Sequence, residues 1–262
     1  LFTNVPVVYN NHNTMSEELH QYFKSSAAKR AATWLGGVLD RQVPRRADAT
    51  VAISEEAVGL LRGFGCQSVS YVPPGVDPVD FEGADPSSIR TELDLKGRRW
   101  VVYAGNPDAY QDLDVLVDGV ASLKDVGLIM VSASDLTGWR ERSGLPPERL
   151  RLVQERSWQV TRDIISAADV AALPRGACSG YPIKLLNYLG LGVPTVCCEG
   201  SYRPLPGVFV SPNYDKLAFG EKIQYLLSRD DLDQIGEQAR ENIRLNCSWD
   251  SRAAELELVY EP

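Results

Sequence analysis

The chain has 262 residues, 44% of them hydrophobic and 24% charged, with a formal net charge of −8. Those values suit an ordinary soluble globular protein of one large or two modest α/β domains. No stretch approaches the roughly 18 to 20 apolar residues of a membrane helix. No Lys/Arg run is long enough for a nucleic-acid stripe, so no nucleic-acid partner is expected.

Five cysteines (Cys66, Cys178, Cys197, Cys198 and Cys247), two histidines and no C-x-x-C motif point to a reduced, cytoplasmic protein without structural zinc. The basic clusters Lys29-Arg30 and Arg45-Arg46 read as solvated surface. Their other reading is attraction to anionic headgroups or a phosphorylated acceptor, compatible with peripheral association at the inner face of a membrane. The opening LFTNVPVVYNNHN lacks the layout of a signal peptide. It starts almost on a strand without an initiator Met, which suggests missing upstream sequence.

In chain order, strands are expected at 5–10, 49–54 and 68–72, with an amphipathic helix over about 25–41. Ser54 precedes EEAVGLLRGFG, with acidic residues in the first turn and Gly65 at the stop, a well-marked helix. Residues 73–100, rich in Pro, Gly and Asp, read as a loop or linker. Further strands are expected at 99–105, 126–133, 149–155, 169–174, 194–200 and 207–212. Helices should cover about 110–124, 158–167, 182–191, 215–228 and 231–245, and a last one should follow Ser248. Short strands joined by helices imply parallel pairing with right-handed crossovers. The expected class is therefore α/β, with two doubly wound units, the first incomplete.

In open parallel sheets, ligands lie beyond the carboxyl ends of the strands. Candidate segments there are Asn10-Asn11-His12-Asn13-Thr14, Gly105-Asn106-Pro107-Asp108-Ala109-Tyr110-Gln111, and Arg175 to Pro182 leading into a helix with Lys184. The last segment is either a simple helix-entry turn or a seat for a phosphate, because small residues before a helix leave N–H groups aimed outward. His12 is either a polar loop residue or a group that touches a transferred moiety. There is no G-x-S-x-G, P-loop or G-x-G-x-x-G after a strand, so hydrolase, ATPase and dehydrogenase readings lack support.

The order of these motifs resembles family 4 glycosyltransferases of the GT-B fold. The resemblance rests on ADATVAISEEAVGLLRGFG, VSYVPPGVDPVDF, VVYAGNPDAYQDLDVLVDGVASL, ADVAALPRGACSGYPIKLLNYLGLGVPTVCC and SWDSRAAELELVYE. It implies two Rossmann-like domains facing each other across a cleft. Residues 1–84 would be a partial acceptor-side domain and 85–246 a nucleotide-sugar-binding domain. The segment 247–262 would be a helix crossing back to the N-terminal domain. It further implies transfer of a hexose, with retention, from a UDP- or GDP-linked sugar to a glycan, lipid or small-molecule acceptor. No cofactor and no tightly held metal are expected.

By the same resemblance, Gly105, Asn106, Gln111, Arg175, Ser179, Gly180, Tyr181 and Lys184 would hold the donor diphosphate. Glu155, Arg156 and Asn187 would lie at the ribose and base, and His12 and Lys184 would be the catalytic residues. The sequence departs from the usual family pattern at four positions. Neutral Asn106 and Gln111 stand where an Arg and a Lys are common, and Ser179 and Asn187 replace a pair of glutamates spaced eight apart. A subset with a G-N-x-x-x-Y-Q loop fits better, with Lys184 and Arg175 replacing the lost positive charge. A catalytically silent binding or scaffold subunit is the competing reading, and a sugar-nucleotide epimerase is the weakest.

Overall fold

A computed structural model describes residues 5–176 and 180–260. Among them the chain forms two compact units. The first holds residues up to Gly75 together with Gly180, Tyr181 and the segment from Trp249 onward; the second holds Val76 to Gly176 and Pro182 to Ser248.

The first unit carries three parallel strands in the order β1-β2-β3: β1 (Val8–Asn11), β2 (Ala49–Ala52) and β3 (Val69–Tyr71). The helix Ser26–Gln42 starts where the Ser25 hydroxyl accepts the Ala28 N–H at 3.2 Å. The helix Glu55–Gly63 is capped by Ser54, whose Oγ accepts the Ala57 N–H at 3.0 Å. That cap also explains why β2 stops at Ala52, before the expected residue 54. Gly65 ends the turn with φ +91, a backbone that a side chain would strain. Ala52, Ala57, Val58, Leu61, Cys66 and Val69 form this unit's core.

The stretch expected to be a linker is partly ordered structure and packs with the second unit. Asp85 accepts the Ser88 N–H at 3.1 Å and Pro86 opens the helix Pro86–Glu92, an N-cap with Pro at the first helical position. Ile89 and Leu95 are buried in a core of the second sheet. Val76 pairs with Ser248. The boundary therefore falls at Gly75, earlier than residue 84.

Six parallel strands make the second sheet: β4 (Arg99–Ala104), β5 (Val126–Ser132), β6 (Leu150–Gln154), β7 (Val170–Leu173), β8 (Thr195–Cys198) and β9 (Val208–Ser211). Their spatial order is β6-β5-β4-β7-β8-β9. Along β4 the side chains alternate between two cores, Val101 and Tyr103 in one, Trp100, Val102 and Ala104 in the other. A strand buried on both faces needs the continuous apolar run that RWVVYA supplies. Trp100 pairs with Gly127 of β5, and a Cβ on Gly127 would stand 2.5 Å from two Trp100 ring carbons.

The expected helix 110–124 is instead a 3-10 turn, Ala109–Gln111, and a helix, Leu113–Ala121. Asp112 breaks the two apart with φ 51 and ψ 39. No helix among the described residues is long and apolar enough to cross a membrane.

Candidate functional site

The winding of the second sheet sets the site. From β4 the chain proceeds outward through β5 to β6, then returns to β7 on the other side of β4 and proceeds through β8 to β9. The strand order reverses between β4 and β7, which pair through Val101–Val170 and Val102–Ala171. At such a switch point the loops leaving the two neighbouring strands diverge and open a crevice at their carboxyl ends. Among the described residues of this unit, the segments there are 105–112 after β4 and 174–176 after β7, which carry several of the expected diphosphate residues.

Tyr188, fully buried in the helix Ile183–Gly190, fastens this helix to the end of β4. Its hydroxyl accepts the Ala104 N–H at 2.9 Å and donates to the Ala104 carbonyl at 3.2 Å. Lys184 lies one turn earlier on the same helix and crosses Gly105. A Cβ built on Gly105 would overlap Lys184 Cε and stand 2.8 Å from Nζ. The Lys184 ammonium is 5.5 Å from the Tyr103 ring centroid. Burial, and then the positive charge of Arg175, push its pKa down to about 8, while Asp108 opposes the shift. The ammonium is thus poorly solvated and short of counter-charge.

Arg175 stands with its guanidinium 5.9 Å from the Tyr110 ring centroid, and its carbonyl accepts the Ser201 hydroxyl at 2.9 Å. The next residue, Gly176, donates its N–H to Asp112 Oδ2 at 3.0 Å. Tyr103 donates from its hydroxyl to the Asn106 carbonyl at 2.7 Å, which shapes the loop after β4. Burial drives the Tyr103 and Tyr188 phenols well above their ordinary range, so both are neutral hydrogen-bonding groups. Gln111 is 1% exposed, and its Oε1 has no hydrogen-bond partner among the described residues.

The structure therefore brings together Gly105, Asn106, Gln111, Arg175 and Lys184 on the two switch-point loops and the helix that follows. Asn187 is on that helix, three residues after Lys184. Pro182 is the N-cap residue rather than the first helical residue, and it makes no side-chain cap. Having no N–H itself, it leaves Ile183 as the first amide of the helix. Ser179 lies outside the described residues, and Gly180 and Tyr181 fall in the first unit. His12 is also in the first unit, exposed just past the end of β1.

Glu155 and Arg156 follow β6, two strands from β4. Glu155 Oε1 accepts the N–H groups of Arg156 at 2.6 Å and Ser157 at 2.7 Å. Those bonds, Ser157 first, hold its carboxyl below the usual range. Sequence reasoning missed Asp112, Ser201 and Tyr188. Asp112 reads as an ordinary residue inside a helix, Tyr188 as periodic core, and Ser201 is 26 residues from Arg175. Among the described residues no group of three or more His, Cys, Asp or Glu could hold a metal ion.

Residues 1–80 match the sequence model of the family described as Glycosyltransferase Family 4. No curated protein matches the sequence. Among solved structures, the chain is similar to sucrose-phosphate synthase from Thermosynechococcus elongatus, with a TM-score of 0.80 and 18% identity over 99% of this chain and 68% of that one. It is also similar to HepE from Anabaena, solved with UDP and glucose, with a TM-score of 0.75 and 17% identity over 97% of this chain and 71% of that one. A third is WaaG, a glycosyltransferase involved in lipopolysaccharide biosynthesis, with a TM-score of 0.75 and 14% identity over 100% of this chain and 77% of that one. At such identities the likeness speaks for the fold, and the chain carries the GT-B arrangement of two parallel α/β units, one small and one of six strands.

Proposed function

We propose that this chain is a glycosyltransferase that takes a hexose from a nucleotide-diphosphate sugar and passes it, with retention, to a hydroxyl of a glycan, lipid or small-molecule acceptor. The observation that carries the reading is the pair of cations at the switch point. Lys184 lies across Gly105 at the switch point, largely desolvated, and the positive charge of Arg175 further disfavours its protonated form, an arrangement that a bound dianion would relieve. The match of residues 1–80 to a glycosyltransferase family and the UDP and glucose held by HepE support the same reading.

In the reaction, the bond from the sugar's anomeric carbon to the β-phosphate oxygen breaks as a bond to the acceptor oxygen forms. The acceptor's proton passes to an oxygen of the departing diphosphate. Negative charge grows on that diphosphate as the bond breaks, so cations already in place lower the barrier without reorganising. Lys184 and Arg175 would supply that charge, with Gly105 leaving the room in which the Lys184 side chain crosses the backbone and Asn106 and Gln111 offering neutral amides. We assign His12 to the transferred sugar or the acceptor on the strength of the family resemblance.

The test is calorimetric binding of UDP, GDP and ADP, followed by turnover of the matching nucleotide sugars. Micromolar binding of one diphosphate, lost by at least tenfold in Lys184→Ala, is the expected result. Absence of binding to all three at millimolar concentration would defeat the proposal. Neutral Asn106 and buried, neutral Gln111 favour one alternative, a subunit that binds nucleotide without chemistry. Diphosphate binding with neither transfer nor hydrolysis of the nucleotide sugar would select it.

A further inference from the structure

The helix Ser26–Gln42 of the first unit is inverted relative to an ordinary surface helix, which turns its apolar stripe inward. Its buried residues are Ala32, Gly36 and Asp40, and Asp40 is occupied there with the amides of Met15 and Ser16. Trp34, 71% exposed, Leu35 and Leu39 face outward instead. Tyr22 and Phe23 before the helix and Val43 after it are exposed as well. Large apolar side chains gathered on one exposed surface mark a place that meets something other than water.

Charge singles out the same segment. Residues 22–46 hold Lys24, Lys29, Arg30, Arg41, Arg45 and Arg46 against one carboxylate, the buried Asp40, in a chain whose net charge is −8. All six cations are exposed, and none of them is in an ion pair among the described residues. At helical spacing Arg30, Trp34 and Arg41 share one stripe of the helix, with Leu35 and Leu39 on the next.

We propose that this helix is a docking surface for an anionic lipid bilayer. It would lie along the headgroup region with Trp34, Leu35 and Leu39 inserted and the cations over the lipid phosphates. Exposed apolar side chains alone would suit many partners. The local excess of positive charge on an acidic chain specifies a negative one, and a bilayer surface meets the apolar face and the cations together. Trp is a side chain that settles at the headgroup boundary, and long basic side chains bend their charges back to it. The surface lies wholly in the first unit and does not depend on the nucleotide-sugar reading, so either can fail without the other.

The test is co-sedimentation of the full chain with phosphatidylcholine vesicles, with and without about one-third phosphatidylglycerol. Binding should require phosphatidylglycerol and weaken steeply with added salt. The substituted side chains are exposed, so Trp34→Ser/Leu35→Ser and Arg30→Gln/Arg41→Gln should keep the parent's denaturation midpoint. Each pair should weaken partitioning by about tenfold or more. Trp34→Phe should bind within about threefold of the parent and lose most of the blue shift of tryptophan emission on vesicle addition. Equal binding to both vesicles, binding to neither, or parent-like partitioning of the two paired variants would overturn the proposal. Self-association in the absence of lipid that Trp34→Ser/Leu35→Ser abolishes would give the face to a second copy of the chain and overturn it as well.

Discussion

Lys184 lies across Gly105, so closely that a Cβ at residue 105 would occupy the space of the lysine's Cε. Gly105 also has φ +146, where any side chain is strained. The two facts act on different properties. The contact is with the far end of a flexible side chain, which can move, whereas the backbone cannot change without disturbing the end of β4. Gly105→Ala should therefore cost about 1–3 kcal/mol of stability through the backbone. It should also displace the ammonium from the switch point and weaken UDP binding tenfold or more. Urea denaturation and calorimetry on one sample measure both. A variant that keeps full affinity would show that Lys184 does not act from its place over Gly105.

Lys184 carries a charge at a cost to the free chain. Its pKa of about 8 against an ordinary 10.5 means the folded state gives up the proton more readily than the unfolded state does. Between those two values the unfolded chain binds more protons, so stability rises with pH. Below about pH 8 the full penalty applies, on the order of 3–4 kcal/mol at ~1.4 kcal/mol per pH unit. Lys184→Met should thus stabilise the ligand-free chain at pH 7, remove the gain in stability between pH 8 and 10, and abolish the thermal shift given by UDP. Denaturant melts at pH 7 and pH 10 decide it. A methionine variant less stable than its parent at both would contradict the argument.

The same titration governs binding. Lys184 is mostly protonated at pH 7 and mostly neutral at pH 9, while a bound diphosphate favours the protonated form. The Kd for UDP should rise about tenfold from pH 7 to pH 9, since a proton must be taken up with the ligand. Lys184→Arg, cationic throughout this range, should bind with a nearly flat profile. A parent chain with a flat profile would place the lysine outside the diphosphate's reach.

How far the site could be read in advance differs from residue to residue. The strands were legible because runs such as RWVVYA and VGLIMVS are apolar on both faces, as parallel strands between helices must be. The helix at 86–92 was not, although Asp85 and Pro86 are a good start signal, because they sit in a window full of Pro, Gly and Asp that reads as loop. Lys184 and Arg175 were legible as cations near strand ends. The bond between Asp112 and Gly176 and the left-handed backbone of Asp112 were not. Neither has a local sequence signature, since an Asp before a helix usually caps it.

A buried contact in the second sheet was equally hidden. Gly127 in mid-strand reads as a weakness, yet the Trp100 ring fills the space where its side chain would be. Trp100 is fully buried and donates from Nε1 to the Leu95 carbonyl at 2.9 Å, so the ring has no easy retreat. Gly127→Ala should cost about 1–3 kcal/mol as an overpacked core. A measured loss below about 0.5 kcal/mol in urea denaturation would mean that the ring yields freely.

The first unit depends on a carboxylate of another kind. Asp40, on the helix Ser26–Gln42, is 2% exposed. Its Oδ1 accepts the Met15 N–H at 2.8 Å, and its Oδ2 accepts the Ser16 N–H at 2.9 Å and the Ser16 hydroxyl at 2.7 Å. These are the opening amides of the short helix Met15–Glu18, which follows His12 by three residues. Gly36, one turn earlier on the same face of the long helix, makes the approach possible, because a Cβ there would stand 2.5 Å from the Met15 carbonyl. Asp40→Ala leaves three donors without their acceptor and should cost about 3 kcal/mol, with Asp40→Asn, which keeps one acceptor oxygen, losing roughly half of that. Gly36→Ala should cost a comparable amount through the backbone clash, since neither helix can shift a side chain out of the way. Hydrogen exchange at the Met15 and Ser16 amides gives a local readout beside the global melt. Both amides should exchange much faster in Asp40→Ala, and unchanged protection there would mean that the helix is held by something other than this carboxylate.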